Sequence, residues 1–387
     1  MRKKLLFVSI FVLLCTMGCI AQTPKLKYRA LKNADKAKVS TYVTAPGNAY
    51  DITNSLPKGY SRNATVDYTN FINKALKENR ILKMPDFPVL VNFNGIKIPA
   101  NTKVYFQKKS KVVLKANKEQ NYGIIKIENA ENVEVYNANI EGDRRNHLGT
   151  KGEWGMGIDV RGSKNVLIKN TYIKDCWGDG IYIGATNNMS ENIKVHDFII
   201  DYSRRNGISI INVSGLDISN GLIANTMGTD PQMGIDIEPN KSDDEVKNIT
   251  ISNIKTFNNR YGIAVVLNTF LRSNITKRIS ISIINHHDIA SQYSFRASGK
   301  SLTGMYKDIK KYKPIEGEIN VVNPLWEDAV VDNFILNEHS GFDFGFLPPI
   351  KIQSPEIIQK GKKISMDKIT NPNIEKQKSA GKLQIIK

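Results

Sequence analysis

The chain has 387 residues, of which 41% are hydrophobic, and a formal net charge of +18. That length suits two domains or one elongated repeat domain with an ample core. No apolar run beyond the N-terminus is long enough to cross a membrane, and no phosphate-binding glycine loop or dinucleotide fingerprint occurs, so helical membrane proteins and the common nucleotide enzymes are excluded.

In chain order, residues 1–21 have the layout of a signal peptide. Arg2, Lys3 and Lys4 precede an apolar run from Leu5 to Leu14, and Cys19-Ile20-Ala21 offers small residues for cleavage. The expected product is secreted or periplasmic. The alternative is a lipid anchor on the cell surface through Cys19, against which Thr16 stands where an aliphatic residue is expected. Cleavage after Ala21 removes Cys15 and Cys19 and leaves Cys176, so no intrachain disulfide can form. An exported chain of this kind needs a long hydrophobic core instead. Loss of Arg2, Lys3 and Lys4 lowers the formal charge from +18 to +15. Such a basic surface attracts polyanions, and for an exported protein acidic glycans fit better than nucleic acid.

Residues 22–62 carry no clear periodicity and are expected to be a leader that packs loosely or wraps the domain. Asp67 to Asn79 reads as a short helix with Thr65 or Asp67 as cap and Phe71, Ile72, Ala75 and Leu76 as its apolar stripe. Short alternating strands follow through Lys115. A Gly-Ile pair then recurs at Gly157, Gly180, Gly207, Gly234 and Gly262, with spacings of 23, 27, 27 and 28 residues. Each pair opens the pattern Gly-Ile-x-(Ile/Val). A second strand follows each, as in Asn165-Val166-Leu167-Ile168 and Asn192-Ile193-Lys194-Val195.

This period marks a repeat fold. No unit holds a helix-length apolar stripe, which rules out helical solenoids, and each unit is too short for a propeller blade. The remaining solution stacks the units as coils of an all-β, single-stranded right-handed parallel β-helix over residues 63–300. A β-sandwich with accidental regularity is the competing architecture. Ile158, Ile181, Ile208, Ile235 and Ile263 should form one buried column, and Val160, Ile183, Ile210, Ile237 and Val265 a second. Asn170, Asn220 and Asn253 should occupy left-handed turns and stack. The open ends require caps: the Asp67–Asn79 helix at one end, and irregular last coils with a capping segment over 301–387 at the other.

These segments resemble the pectate-lyase-like right-handed parallel β-helix superfamily. The resemblance rests on Pro99-Ala100-Asn101-Thr102-Lys103-Val104, Asn132-Val133-Glu134-Val135, Glu141-Gly142-Asp143-Arg144-Arg145, Cys176-Trp177-Gly178-Asp179-Gly180-Ile181 and Gly234-Ile235-Asp236-Ile237-Glu238-Pro239. It runs from about Asp67 to Ala297. It implies a glycan lying along the sheet of Gly-Ile strands, as in the pectate lyases, polygalacturonase-type hydrolases, uronan epimerases and tailspike depolymerases of that superfamily. The Asn-Thr-Asp, Asp-Asp, Gly-His-Gly and Arg-Ile-Lys segments of the hydrolases are not intact here. The epimerase Asp-Pro-His is replaced by Asp230-Pro231-Gln232. Reaction type is therefore not carried over.

With Ile inside, the intervening residues point outward. The column after Gly-Ile reads Asp159, Tyr182, Ser209, Asp236, Ala264; two positions on it reads Arg161, Gly184, Ile211, Glu238, Val266; before the glycine it reads Met156, Asp179, Asn206, Met233, Tyr261. Asp236 and Glu238 share one face of a strand, with Cα atoms about 6.7 Å apart, a spacing compatible with an acid and a water-activating base. Asp179 is the expected third acid. Expected sugar contacts are Asp159, Arg161, Arg205 and Arg260 for polar groups, Trp177 and Tyr182 for sugar faces, and His147 from a nearby loop. The structural alternatives are salt bridging for the arginines and turn packing for Trp177. A lone loop histidine more often does neither job. His286-His287-Asp288 is discounted as a metal site because adjacent strand residues point opposite ways. No cofactor is required; Ca²⁺ among Asp179, Asp236 and Glu238 fits the donor types without any residue pattern demanding it. The expectation is a monomeric polysaccharide-active protein, hydrolase ahead of lyase, with a non-catalytic glycan binder or scaffold and a uronan epimerase as alternatives.

Overall fold

The computed structural model describes residues 26–32, 42–299, 313–329, 346–365 and 378–386. The signal-peptide region and Cys19 lie outside these residues. The described chain is an all-β parallel solenoid of about ten turns. Its strands form an eight-stranded sheet and a larger sheet that makes up the other sides of the coil. The eight strands are β1 (Ile96–Lys97), β2 (Asn121–Glu128), β3 (Trp154–Arg161), β4 (Ile181–Gly184), β5 (Ile208–Ile210), β6 (Met233–Ile237), β7 (Tyr261–Val266) and β8 (Tyr293–Ser298). Each pairs in parallel with its neighbour in that order.

The register follows the repeat. Ile125, Ile158, Ile181, Ile208, Ile235, Ile263 and Phe295 are successive partners. The five isoleucines of the predicted column have no exposed surface. Each such side chain contributes about 2–3 kcal/mol by leaving water. The glycine before each isoleucine has a steric cause. A Cβ on Gly157, Gly180, Gly207, Gly234 or Gly262 would lie under 3.0 Å from the carbonyl oxygen of the next coil.

The corners are built by asparagine. Asn137, Asn170, Asn220, Asn253, Asn285 and Asn323 all have φ between 50° and 57°, and Asp197 holds the same conformation at 56°. Asparagine tolerates this region because its short side chain bonds locally. Here the amides also stack between coils: Asn170 donates to Asn137 at 2.7 Å, Asn253 to Asn220 at 3.2 Å and Asn285 to Asn253 at 2.9 Å.

The helix α1 spans Thr69–Glu78 and buries Ile72, Ala75 and Leu76. Asp67 Oδ1 accepts the Thr69 N–H at 2.9 Å. Phe71, expected in the buried stripe, is instead 38% exposed and lies edge-on to Tyr68. Asn73 on α1 donates to the Gly95 carbonyl and accepts the Lys97 N–H, so the helix satisfies part of the open edge of β1.

Lys27, Arg29 and Leu31 of the leader lie against the coils. Arg29 exchanges backbone bonds with the Asn225 amide, Asn258 donates to the Lys27 carbonyl, and Leu31 packs against Ile199, Leu222 and Ala224. At the other end the parallel stack does not stop near residue 300. Glu316–Val322 pairs with Arg278–Ile284, Ile350–Gln353 with Glu316–Val322, and Leu383–Ile386 with Ile350–Gln353, all in parallel. The Ile-x-Val and Ile-x-Ile alternation of these strands is too brief to stand out in a sequence whose glycine marker has ended.

His286 and His287 do point opposite ways. His286 is buried, with Nδ1 accepting from Trp326 Nε1 at 3.3 Å and Nε2 on the Thr256 hydroxyl at 2.8 Å. Thr256 donates to Asp288, so it accepts from Nε2, and both ring nitrogens are in use. His287 faces outward onto Glu327.

Candidate functional site

The eight-stranded sheet brings together the residues that the alternation places on its outer side. Lys126, Asp159, Tyr182, Ser209, Asp236, Ala264 and Arg296 are successive partners across β2 to β8. Asp179 and Asn206 stack one coil apart just before β4 and β5, as the Gly180 N–H bond to the Asn206 carbonyl shows. Glu238 follows β6 and donates its N–H to Ile210.

The wall differs from expectation in its cover. Asp159 is 4% exposed, Tyr182 6%, and Ser209, Asp236 and Asp179 have no exposed surface. The cause is side-chain length. Long residues of the wall fold over shorter neighbours and convert an outward column into a second, polar interior. Arg161 donates Nε to both oxygens of Asp159 at 2.8 and 3.0 Å and holds its guanidinium 4.1 Å over the Tyr182 ring. Asn240 donates to the Tyr182 hydroxyl. Tyr182 therefore has no open sugar-stacking face, and Arg161 and Asp159 satisfy each other.

Asp179, Asp236 and Arg205 do come together, joined by two residues not singled out from the sequence. Asp179 Oδ2 accepts from Ser209 Oγ at 2.7 Å and from Arg205 at 3.1 Å; its Oδ1 accepts the Asn206 N–H at 3.0 Å. Asn206 Nδ2 donates to Ser209 Oγ at 3.0 Å and to Asp236 Oδ2 at 2.9 Å. Asp236 Oδ1 is buried with no hydrogen-bond partner. Burial, then the adjacent Glu238 charge, push the Asp236 carboxyl well above the usual carboxylate range, while Arg205 and Arg296 pull the other way. Burial also raises Asp179, against Arg205 and its three donors. Glu238 is half-buried, and Arg205 keeps 14% of its side chain exposed. The only sequence signal for Asn206 and Ser209 was their place in the columns flanking Gly207-Ile208.

The remaining expected contacts lie elsewhere. Trp177 stacks on His147 with ring centroids 3.9 Å apart, and the Arg204 guanidinium lies 3.9 Å over the same ring. Two groups at that distance require opposite faces, so neither face is free for a sugar; Trp177 packs in its turn. His147 is fully covered, and its Nδ1 bonds Asp143 at 2.8 Å. Asp143 also accepts from Tyr122 and Asn117, so this carboxylate orients the ring rather than leaving it free in a groove. Arg260 pairs with the exposed Asp230 at the rim. Among the described residues no three His, Cys, Asp or Glu side chains converge as a metal would require.

A family model for a right-handed beta helix region matches residues 150–279. The SPbeta prophage-derived protein YorA of Bacillus subtilis (strain 168) is 36% identical over 162 residues, covering 37% of this chain and 28% of its own length. The chain thus spans less than a third of that relative. Among solved structures, an iota-carrageenase from A. fortis superposes with a TM-score of 0.53 at 13% identity, covering 78% of this chain and 76% of that one. PfbA, a surface adhesin of Streptococcus pneumoniae, superposes with a TM-score of 0.50 at 13% identity, covering 81% and 89%. Among the described residues no helix is long and apolar enough to cross a membrane. The register, the family match and the structural likeness agree on a right-handed parallel β-helix, a fold that fits the pectate-lyase-like superfamily.

Proposed function

We propose that the chain is an exported glycan-active protein that hydrolyses glycosidic bonds of an acidic, plant- or algal-type polysaccharide. Asp236 serves as the acid and Glu238 as the water-activating base. The observation that carries this reading is the state of Asp236: a buried carboxyl, held above its ordinary range, with one oxygen left without a partner. A buried unsatisfied oxygen costs about 1–3 kcal/mol, and such costs concentrate where a group has work to do. Glu238 lies beside it and keeps some solvent access. Asp179 has a bond on each oxygen, whereas Asp236 keeps one free, so Asp179 anchors Arg205 and Ser209 rather than touching substrate. The likeness to an iota-carrageenase is consistent with a glycan on this sheet.

The chemistry balances as an inverting hydrolysis. The Asp236 proton passes to the bridging oxygen as its bond to the anomeric carbon breaks. Glu238 takes a proton from the water whose oxygen bonds that carbon.

The test is digestion of a panel of acidic and neutral polysaccharides by the wild type, Asp236→Asn and Glu238→Gln. New reducing ends without a new ultraviolet-absorbing double bond are expected, with each variant losing at least about 100-fold in kcat. Full activity in Asp236→Asn contradicts the assignment, and an absorbing product indicates a lyase. A second reading, a non-catalytic glycan binder, is favoured by the complete burial of Asp236 and by the likeness to an adhesin. It predicts glycan retention in affinity electrophoresis with no turnover of any panel member.

A further inference from the structure

Asn206 is fully buried between the acids of two coils. Its Oδ1 accepts the backbone N–H of Met233 at 3.0 Å. That bond settles the amide orientation, because a flipped amide would set two donors face to face. Nδ2 must then point its two hydrogens at Asp236 Oδ2 and Ser209 Oγ, 2.9 and 3.0 Å away. Ser209 Oγ, accepting from Asn206, gives its own hydrogen to Asp179 at 2.7 Å. Every hydrogen along the path from Asp179 to Asp236 is thereby placed. Asp236 Oδ2 receives an N–H; Oδ1 receives nothing.

We propose that Asn206 is the positioning residue that keeps the transferable proton of Asp236 on Oδ1. This rests on the reading of Asp236 as the acid. Asn206 does its work in both halves of the step. Before transfer it makes Oδ2 the carbonyl oxygen, leaving the O–H on the side that no donor occupies. After transfer its N–H remains to hold the carboxylate charge. The charged groups facing Asp236 are Glu238 on its own coil, Arg205 and Asp179 on the N-terminal side, and Arg296 on the C-terminal side. Arg296 is its partner's partner in the register, reached across Ala264. None of these four fixes which oxygen carries the proton; the amide does.

The experiment is infrared difference spectroscopy of the substrate-free full chain, comparing wild type with Asn206→Ala. The carbonyl stretch of protonated Asp236 is identified by its loss in Asp236→Asn. Removing the Asn206 donor should move that stretch to higher wavenumber, because the Oδ2 carbonyl loses its hydrogen bond. The titration midpoint of the carboxyl should rise by about one pH unit or more, because a bond that favours the ionised form is gone. Asn206→Leu, which fills the volume without a donor, is the second variant if the alanine chain does not fold. Ser209→Ala, which leaves the Asn206–Asp236 bond in place, should leave the stretch where it is.

An unmoved stretch and midpoint in the Asn206 variants overturn the proposal. A shift in Ser209→Ala as large as in Asn206→Ala overturns it too, since the effect would then be general to the network. If the wild type cleaves no glycan, the hydrolase reading fails, and the infrared result still decides the role of Asn206. In a cleaving enzyme the alkaline limb of the kcat profile should move with the carboxyl midpoint while KM holds.

Discussion

Three buried carboxyls in this chain differ by what surrounds them. Asp179 meets a guanidinium, a hydroxyl and a backbone N–H. Asp236 meets one amide hydrogen and a neighbouring acid. Asp288 meets only neutral donors, the hydroxyls of Thr256, Ser291 and Ser294 and the Ser291 backbone N–H, and burial pushes its carboxyl up to about 6. The last has a consequence for stability. A carboxyl whose folded value lies above its unfolded value binds more protons in the folded state. Folding is therefore favoured below the unfolded value, and that advantage is lost as pH rises through about 4 to 6. The loss is on the order of 2–3 kcal/mol. Asp288→Asn should flatten this part of the curve of unfolding free energy against pH, measured by urea titration at pH 4, 5, 6 and 7. A slope unchanged from wild type would assign the pH dependence to other groups. At this scale the sequence was a partial guide. It brought out Asp236, Glu238, Asp179 and Arg205 from alternation and stacking. It gave no hint that Arg161 would lie over Tyr182, or that Arg204 and His147 would enclose Trp177, because those outcomes depend on rotamers chosen by neighbours from other coils.

Among the elements, the strand that opens with Gly-Ile was the most legible, and its glycine has a reason that spacing alone does not disclose. The backbone of the next coil approaches where a Cβ would be. At Gly207 the added carbon would meet both the Gly234 carbonyl oxygen and the Ile223 side chain under 3.0 Å. Gly207→Ala should therefore destabilise the chain by about 1–3 kcal/mol, read as a lowered urea midpoint, although its backbone φ is not in the left-handed region. An unchanged midpoint would show that adjacent coils can part locally at little cost. The asparagine corners were legible for another reason: only a few residue types tolerate a positive φ. The coils beyond residue 313 were legible only in part. The pattern resumes in Gly317-Glu318-Ile319-Asn320-Val321-Val322, where Ile319 and Val321 alternate and stack on Ile281 and Ile283, yet two apolar positions mark no more than irregular last coils. The leader was unreadable for a different reason: its first part bonds the side-chain amides of Asn225, Asn258 and Asn137, and the strand Tyr50–Asp51, paired in parallel with Ile81–Lys83, is two residues long and too short to show alternation.

For the whole molecule, stacking turns residues 23 or more positions apart into neighbours along the eight-stranded sheet, and the proposed site depends on that translation. Asp179, Ser209 and Asp236 come from three coils and meet because each coil repeats the backbone of the last. The same regularity leaves one flank carrying a polar network while the isoleucine columns hold the coils together. The proposed function requires a glycan chain to engage this wall at Asp236. A crystal structure of Asp236→Asn soaked with an oligosaccharide that the wild type cleaves decides the matter. Sugar density is expected across β4 to β7, with a bridging oxygen within hydrogen-bond reach of residue 236 on its Oδ1 side and an ordered water beside Glu238. Sugar bound on another flank of the coil, with the side chain at 236 still sealed from it, would overturn the assignment.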